Sequence, residues 1–141
     1  MTLSHRERVI KALSHQEPDR VPFDLGSTMS SSVHIGTYQK LKAHFGVNAE
    51  DIFISKMTQI VAVDESILQA LDIDLRVAIT GTPDSRPNIQ VGEDGYQDEY
   101  RVVRRKPPSS LYYDQVKCPL SGSISLQDII NFPWPDPSCG D

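Results

Sequence analysis

Four polar side chains stand where the chain could do chemistry: Asp24, Ser27, His34 and Arg76. Asp24 and Ser27 close the apolar stretch "VPFDLGS", and His34 ends the polar segment "GSTMSSSVH". A histidine there could move a proton near neutral pH or face a bound group. It could equally be a helix-start residue bonded to the serine loop. The serine-rich run at 27–32 could hold an anion with hydroxyls and backbone N–H groups at a helix start, or be plain loop. Asp24 could turn inward as a polar group or only cap the turn. Arg76 could meet an anionic substrate or form a structural ion pair with Asp74, and Thr80 closes the same stretch. Cys118 could be a thiol nucleophile, but no base stands near it in sequence; a packed strand cysteine is the alternative reading.

The totals restrict the classes open to the chain. At 141 residues it fits one domain with a real core. The net charge of −5 argues against a nucleic-acid binder, which needs a positive surface. The basic cluster "RVVRRK" follows "EDGYQDEY" and reads as a solvated strand face. Cys118 and Cys139 lie too far apart for a local metal knuckle, and a reduced, cytoplasmic setting is the simplest expectation. The carboxylates of "EDGYQDE" lack calcium-loop spacing. No apolar run approaches a membrane span of about 20 residues.

Elements must position those side chains. Ser4 and Glu7 form a capping box ahead of Val9, Ile10 and Leu13, which predicts a helix over 4–15 that Pro18 stops. "VPFDLG" reads as a short strand ending at Gly26. Ile35, Tyr38, Leu41 and Phe45 predict a helix over 34–45, with Gly46 as its stop. Ile60, Val61 and Val63 precede Asp64, a good N-cap for "ESILQAL". "LRVAIT" at 75–80 reads as a second buried strand, and 82–92 as a connection. Strands separated by helices suggest a parallel sheet or barrel. "YRVVRR" and "LYYDQVK" predict an antiparallel hairpin across "KPPSS". Ser125 and Asp128 cap a short helix, "LQDIIN", before "FPWPDP", in which Trp134 is expected to plug an apolar gap. His5, His15 and His44 read as surface helix residues.

In that order the chain resembles the N-terminal part of the uroporphyrinogen decarboxylase superfamily. The resemblance is carried by "RERVIKALSHQEPDRVPFDLG", "ILQALDIDLR", "DGYQDEYRVVRR" and "CPLSGSISLQDIINFPWPDP". Each is weak singly; four collinear segments are fairly specific. The resemblance implies an α/β fold, the N-terminal part of a (β/α)8 barrel with about two barrel strands and an antiparallel hairpin insertion. It divides the chain into a leading helix at 1–16, two β/α units at 17–81, and a hairpin with a short helix at 82–141. Active sites of such barrels gather at the C-terminal strand ends. That rule gathers Asp24, Ser27 and His34 after the first strand, and Arg76 and Thr80 on or after the second, as substrate-binding candidates.

The superfamily holds the cofactor-free haem-pathway decarboxylase and a branch of corrinoid-linked methyltransferases. Several members of that branch use zinc to activate a thiol, with His and Cys ligands from later in the barrel. The decarboxylase carries an arginine-rich loop after the first strand and an aspartate in an "F-S-D" motif after the second. Here the first loop is "GSTMSSSVHIGTYQ", without arginine, and the second strand runs "DLRVAITGTP". A tetracarboxylate would lose its charge-assisted partners there. The resemblance therefore leans toward the methyltransferase and O-demethylase branch. It implies a small-molecule substrate and no cofactor in this chain, with zinc and a corrinoid protein belonging to a full-length relative. A whole barrel takes about 250 residues, so the expectation is an N-terminal portion, inactive alone, with a corrinoid protein, the missing barrel half or a second copy as partner. A diverged decarboxylase and a non-enzymatic partner-binding module are the alternatives.

Overall fold

The computed structural model describes residues 2–79 and 87–136. The chain divides into two compact units, Met1–Ala78 and Ile79–Asp141.

In the first unit, α1 (His5–Leu13) begins at the expected capping box: the Ser4 side chain accepts from the Glu7 N–H, and the Glu7 carboxylate accepts from the Ser4 N–H. Helix α2 (Ile35–Phe45) ends at Gly46, whose φ of 66° is the left-handed conformation that glycine adopts without a Cβ penalty. Asp64 caps α3 (Glu65–Ala70) by accepting from the Ser66 N–H. Three short strands, β1 (Val33–His34), β2 (Phe53–Ser55) and β3 (Ile60–Val61), form an antiparallel sheet with β3 in the middle. The core gathers Tyr38 from α2, Val61 and Val63 from around β3, and Ile67, Leu68 and Ile73 from around α3. Tyr38 is buried, and its hydroxyl accepts from the Asp64 N–H at 3.2 Å, so the α3 cap is tied to α2. Burial raises the affinity of that phenol for its proton.

The second unit is a four-stranded antiparallel meander: β4 (Ile89–Val91), β5 (Gly95–Gln97), β6 (Val103–Arg105) and β7 (Asp114–Lys117), in chain order. Tyr96 and Val102 are buried, and the Tyr96 and Tyr113 rings meet edge to face at 5.0 Å. Gly95 is required by packing. A Cβ there would lie 2.8 Å from the carbonyl oxygens of Val91 and Arg104. Helix α4 (Leu126–Asn131) starts at the expected Ser125–Asp128 capping box.

Fold class is mixed α/β, as expected, but among the described residues every sheet pairing is antiparallel and no barrel closes. The expected strands at 21–26 and 75–80 do not form ladders in the described residues. The backbone bond that ties them is from the Asp74 N–H, just before the second stretch, to the Phe23 carbonyl at 2.9 Å. A strand exists only through repeated pairing, and one rung does not make a sheet. Part of their apolar content is therefore exposed: Val21 and Phe23 are 73% and 50% accessible, while Leu25 packs against the core. β4 is a strand where a connection was expected; Ile89 and Val91 find partners in Gln97 and Gly95. The 103–105 and 114–117 segments do pair as the expected hairpin. Its connection is longer than "KPPSS", because residues 111–113 lie outside the ladder.

Candidate functional site

The strand-one loop brings two of the expected site residues together. Asp24 accepts from the Ser27 N–H at 3.0 Å and the Ser27 hydroxyl at 2.6 Å. Burial works against the Asp24 charge, yet the Ser27 and Ser31 donors outweigh it and hold the carboxyl below its usual range. Ser31 and Thr28 bond to each other, and the Ser32 hydroxyl donates to the Val61 carbonyl. These hydroxyls close an Asx-type turn at Gly26, whose φ is 94°. His34 caps α2: its Nδ1 accepts from the Gly36 N–H at 3.0 Å. The serine loop and His34 thus shape a turn and a helix start.

Arg76 lies elsewhere in the bonding pattern. Its Nε and Nη2 meet the two Glu65 oxygens at 2.7 and 2.9 Å, and Nη1 donates to the carbonyls of Ile73 and Leu75. Glu65 holds the guanidinium charged, raising its affinity for the proton. The ion pair is structural, as one reading expected, but Glu65 takes the place given to Asp74. Asp74 is already occupied by other donors. Thr80 lies outside the described residues.

The densest polar constellation was not singled out from sequence. Asp74, with no solvent-exposed side-chain surface, sits among Arg8, Arg20, His5 and the Phe23 N–H. Arg8 Nη1 and Arg20 Nη1 each reach it at 2.5 Å, His5 Nδ1 at 2.8 Å, and Phe23 N–H at 2.7 Å. Arg8, 3% exposed, also grips both Asp19 oxygens at 2.7 and 3.0 Å. Arg20 reaches Asp72 at 2.6 Å and stacks over the Phe23 ring, 4.5 Å from its centroid.

Burial alone would push the Asp74 carboxyl up, but the Phe23 N–H, Arg20, Arg8 and His5 hold it well below the usual carboxylate range. Arg8 holds Asp19 low for the same reason. His5 was read as a surface residue; half its side chain is exposed, but its ring bridges toward Asp74 and Asp72. The available signal was the set of charged residues inside otherwise apolar motifs: Arg8 within the leading helix, "DR" before the first apolar stretch, and "DID" before the second.

Beside this network lies an open groove of about 500 Å³, lined by His5, Arg6, Val9, Ile10, Asp74, Leu75 and Arg76. Elsewhere, the basic cluster is only partly the solvated face expected: Arg101 and Arg105 are exposed, but Arg104 is largely covered and pairs with Asp98 at 3.1 Å. Cys118 is half-buried, one residue past β7. Trp134 does not fill an apolar gap: it is half-exposed, folded back on α4, with Nε1 donating to the Ile129 carbonyl and its ring edge-on to Phe132. Among the described residues no group of three or more His, Cys, Asp and Glu side chains could hold a metal ion. No described helix is long and apolar enough to cross a membrane.

Comparison of the chain with protein-family models, with curated proteins and with solved structures finds no match in any of the three.

Proposed function

We propose that the chain is the N-terminal portion of a uroporphyrinogen decarboxylase-like (β/α)8 protein whose parent activity is corrinoid-linked methyl transfer, and that alone it is inactive. One observation carries the reading. Two of the four segments behind the resemblance meet in a single ionic network centred on the buried Arg8 and Asp74, with Asp19 and Arg20 from "RERVIKALSHQEPDRVPFDLG" and Asp72 from "ILQALDIDLR" nearer solvent. Ion pairs taken out of water are costly unless their geometry is set on both sides. Motifs 50 residues apart therefore make sense as one structural unit, with the second apolar stretch laid beside the first at Phe23 and Asp74. Exposed Val21 and Phe23 on that pair are the surface that further strands would cover.

The loop after the first stretch carries Asp24, Ser27 and His34 and no arginine, which favours a small methylated substrate over a tetracarboxylate. The Asp24 and Ser27 donors and acceptors are turned on each other, and His34 is committed to a helix cap. Catalysis by this portion would need groups from the rest of the barrel to reorganise that loop. The described residues offer no ligand set for zinc, so a zinc site of the parent family would come from other parts of the protein, and no step is routed through it.

The test is an assay of the purified chain, alone and co-expressed with the reading frame that follows it. Methyl transfer from a methylated corrinoid to a thiol or to tetrahydrofolate is expected only from the combined protein. Strong transfer by the chain alone would overturn its inactivity. Turnover of uroporphyrinogen would replace the reading with a diverged decarboxylase. A folded, cooperative monomer with neither activity in either form would favour a non-enzymatic binding module.

A further inference from the structure

The groove beside α1 combines apolar walls with a spare cation. Val9 and Ile10 from α1 line it together with Leu75, and the open volume of roughly 500 Å³ falls in the range of small-molecule sites. Four of the lining groups are polar, and three are spent. Asp74 is saturated by Arg8, Arg20, His5 and the Phe23 N–H. Arg76 gives its donors to Glu65 and to two carbonyls. His5 is turned toward Asp74 and Asp72. Arg6 lines the same groove and has no hydrogen-bond or ion-pair partner among the described residues.

From this arrangement we infer that the groove is a binding site for a monocarboxylate with an apolar tail, the tail between Val9, Ile10 and Leu75 and the carboxylate on the Arg6 guanidinium. A guanidinium offers a planar fork that matches a carboxylate with two parallel bonds. A polyanion is disfavoured, because a second charge would meet no second uncommitted cation in the lining. A cationic tail is disfavoured, because the one acidic lining group, Asp74, is closed off by its own partners. The inference does not rest on the barrel reading: it uses only the groove lining and the uncommitted Arg6.

The experiment follows backbone amides by NMR while octanoate, octanol or octylammonium is added to the chain and to its Arg6→Gln variant. Arg6 makes no contact that folding uses, so the variant should keep the native spectrum. Octanoate should shift the amides of His5 to Ile10 and of Asp74 to Arg76, saturably. Octanol, and octanoate on Arg6→Gln, should each bind about tenfold or more weakly, the effect of one charge-assisted contact. Equal binding of the three tails, equal binding by Arg6→Gln, silence at those amides, or shifts spread over the exposed apolar residues of the second unit would each overturn the inference. Failure here would leave the methyl-transfer assay untouched.

Discussion

Replacing Asp74 by asparagine keeps the size of the side chain and removes its charge. In the native protein that charge faces Arg8 and Arg20 at 2.5 Å, His5 at 2.8 Å and the Phe23 N–H at 2.7 Å, with none of its side-chain surface exposed. An amide has one acceptor oxygen and turns an N–H₂ group toward the remaining donors. Arg8 would keep Asp19 and Arg20 would keep Asp72, so neither cation is stranded completely. The loss should therefore fall at the lower end of the cost of breaking a buried ion pair, about 3 kcal/mol. Against a typical domain stability of about 5–15 kcal/mol, that is a large fraction.

Urea unfolding should show it as a lower midpoint with an unchanged slope. Trp134, the single tryptophan, lies in the second unit, so its fluorescence does not report on the first. Far-ultraviolet circular dichroism does, because α1, α2 and α3 all belong to the first unit. The pH dependence gives a second readout. Asp19 and Asp74 are held below the ordinary carboxylate value of about 3.9. Their contribution is present above that value and is lost as the pH falls through it toward their folded-state values. Asp74→Asn should therefore lose stability less steeply than the wild type at acid pH. A midpoint within error of wild type, or an identical acid slope, would refute the view that the network holds α1 to the two apolar stretches.

Ile67→Ala, at a fully buried position of α3, should cost about 3 kcal/mol in the same urea assay. Tyr38→Phe, which removes the acceptor of the Asp64 N–H, should cost about 1 kcal/mol with the helix content of the folded state unchanged. Gly95→Ala should disrupt the meander, because the added methyl meets two carbonyl oxygens at 2.8 Å; loss of Tyr96 amide protection in hydrogen exchange is the measurement, and protection in α2 should persist. Arg76→Met should lower the stability of the first unit by about 1 kcal/mol or less in the urea assay, since the Glu65 pair it removes is partly exposed.

Helix ends were the most legible features. Ser4 with Glu7, Asp64, Gly46 and Ser125 with Asp128 all act as their types predict, because a cap is satisfied within a few residues of itself. The hairpin from 103 to 117 was legible for a similar reason, short range and strong β-forming content. Strand identity at 21–26 and 75–80 was not, since an apolar run states only that a segment seeks cover. The true strands of the first unit are two or three residues long, too short to leave a periodic signal. Of the candidate site residues, Asp24 and Ser27 do come together, three positions apart. His34 acts through its own helix start, and Arg76 through a glutamate 11 positions away.

The sequence by itself determined the local matters: where helices begin and stop, which residues are apolar, and the absence of an arginine cluster after the first apolar stretch. Tertiary structure decided which charges meet. Arg8 and Asp74 are 66 positions apart, and Arg20 and Asp74 are 54. No rule of spacing selects those pairs, because the energy of a buried ion pair depends on a desolvated geometry that exists only once the chain has folded.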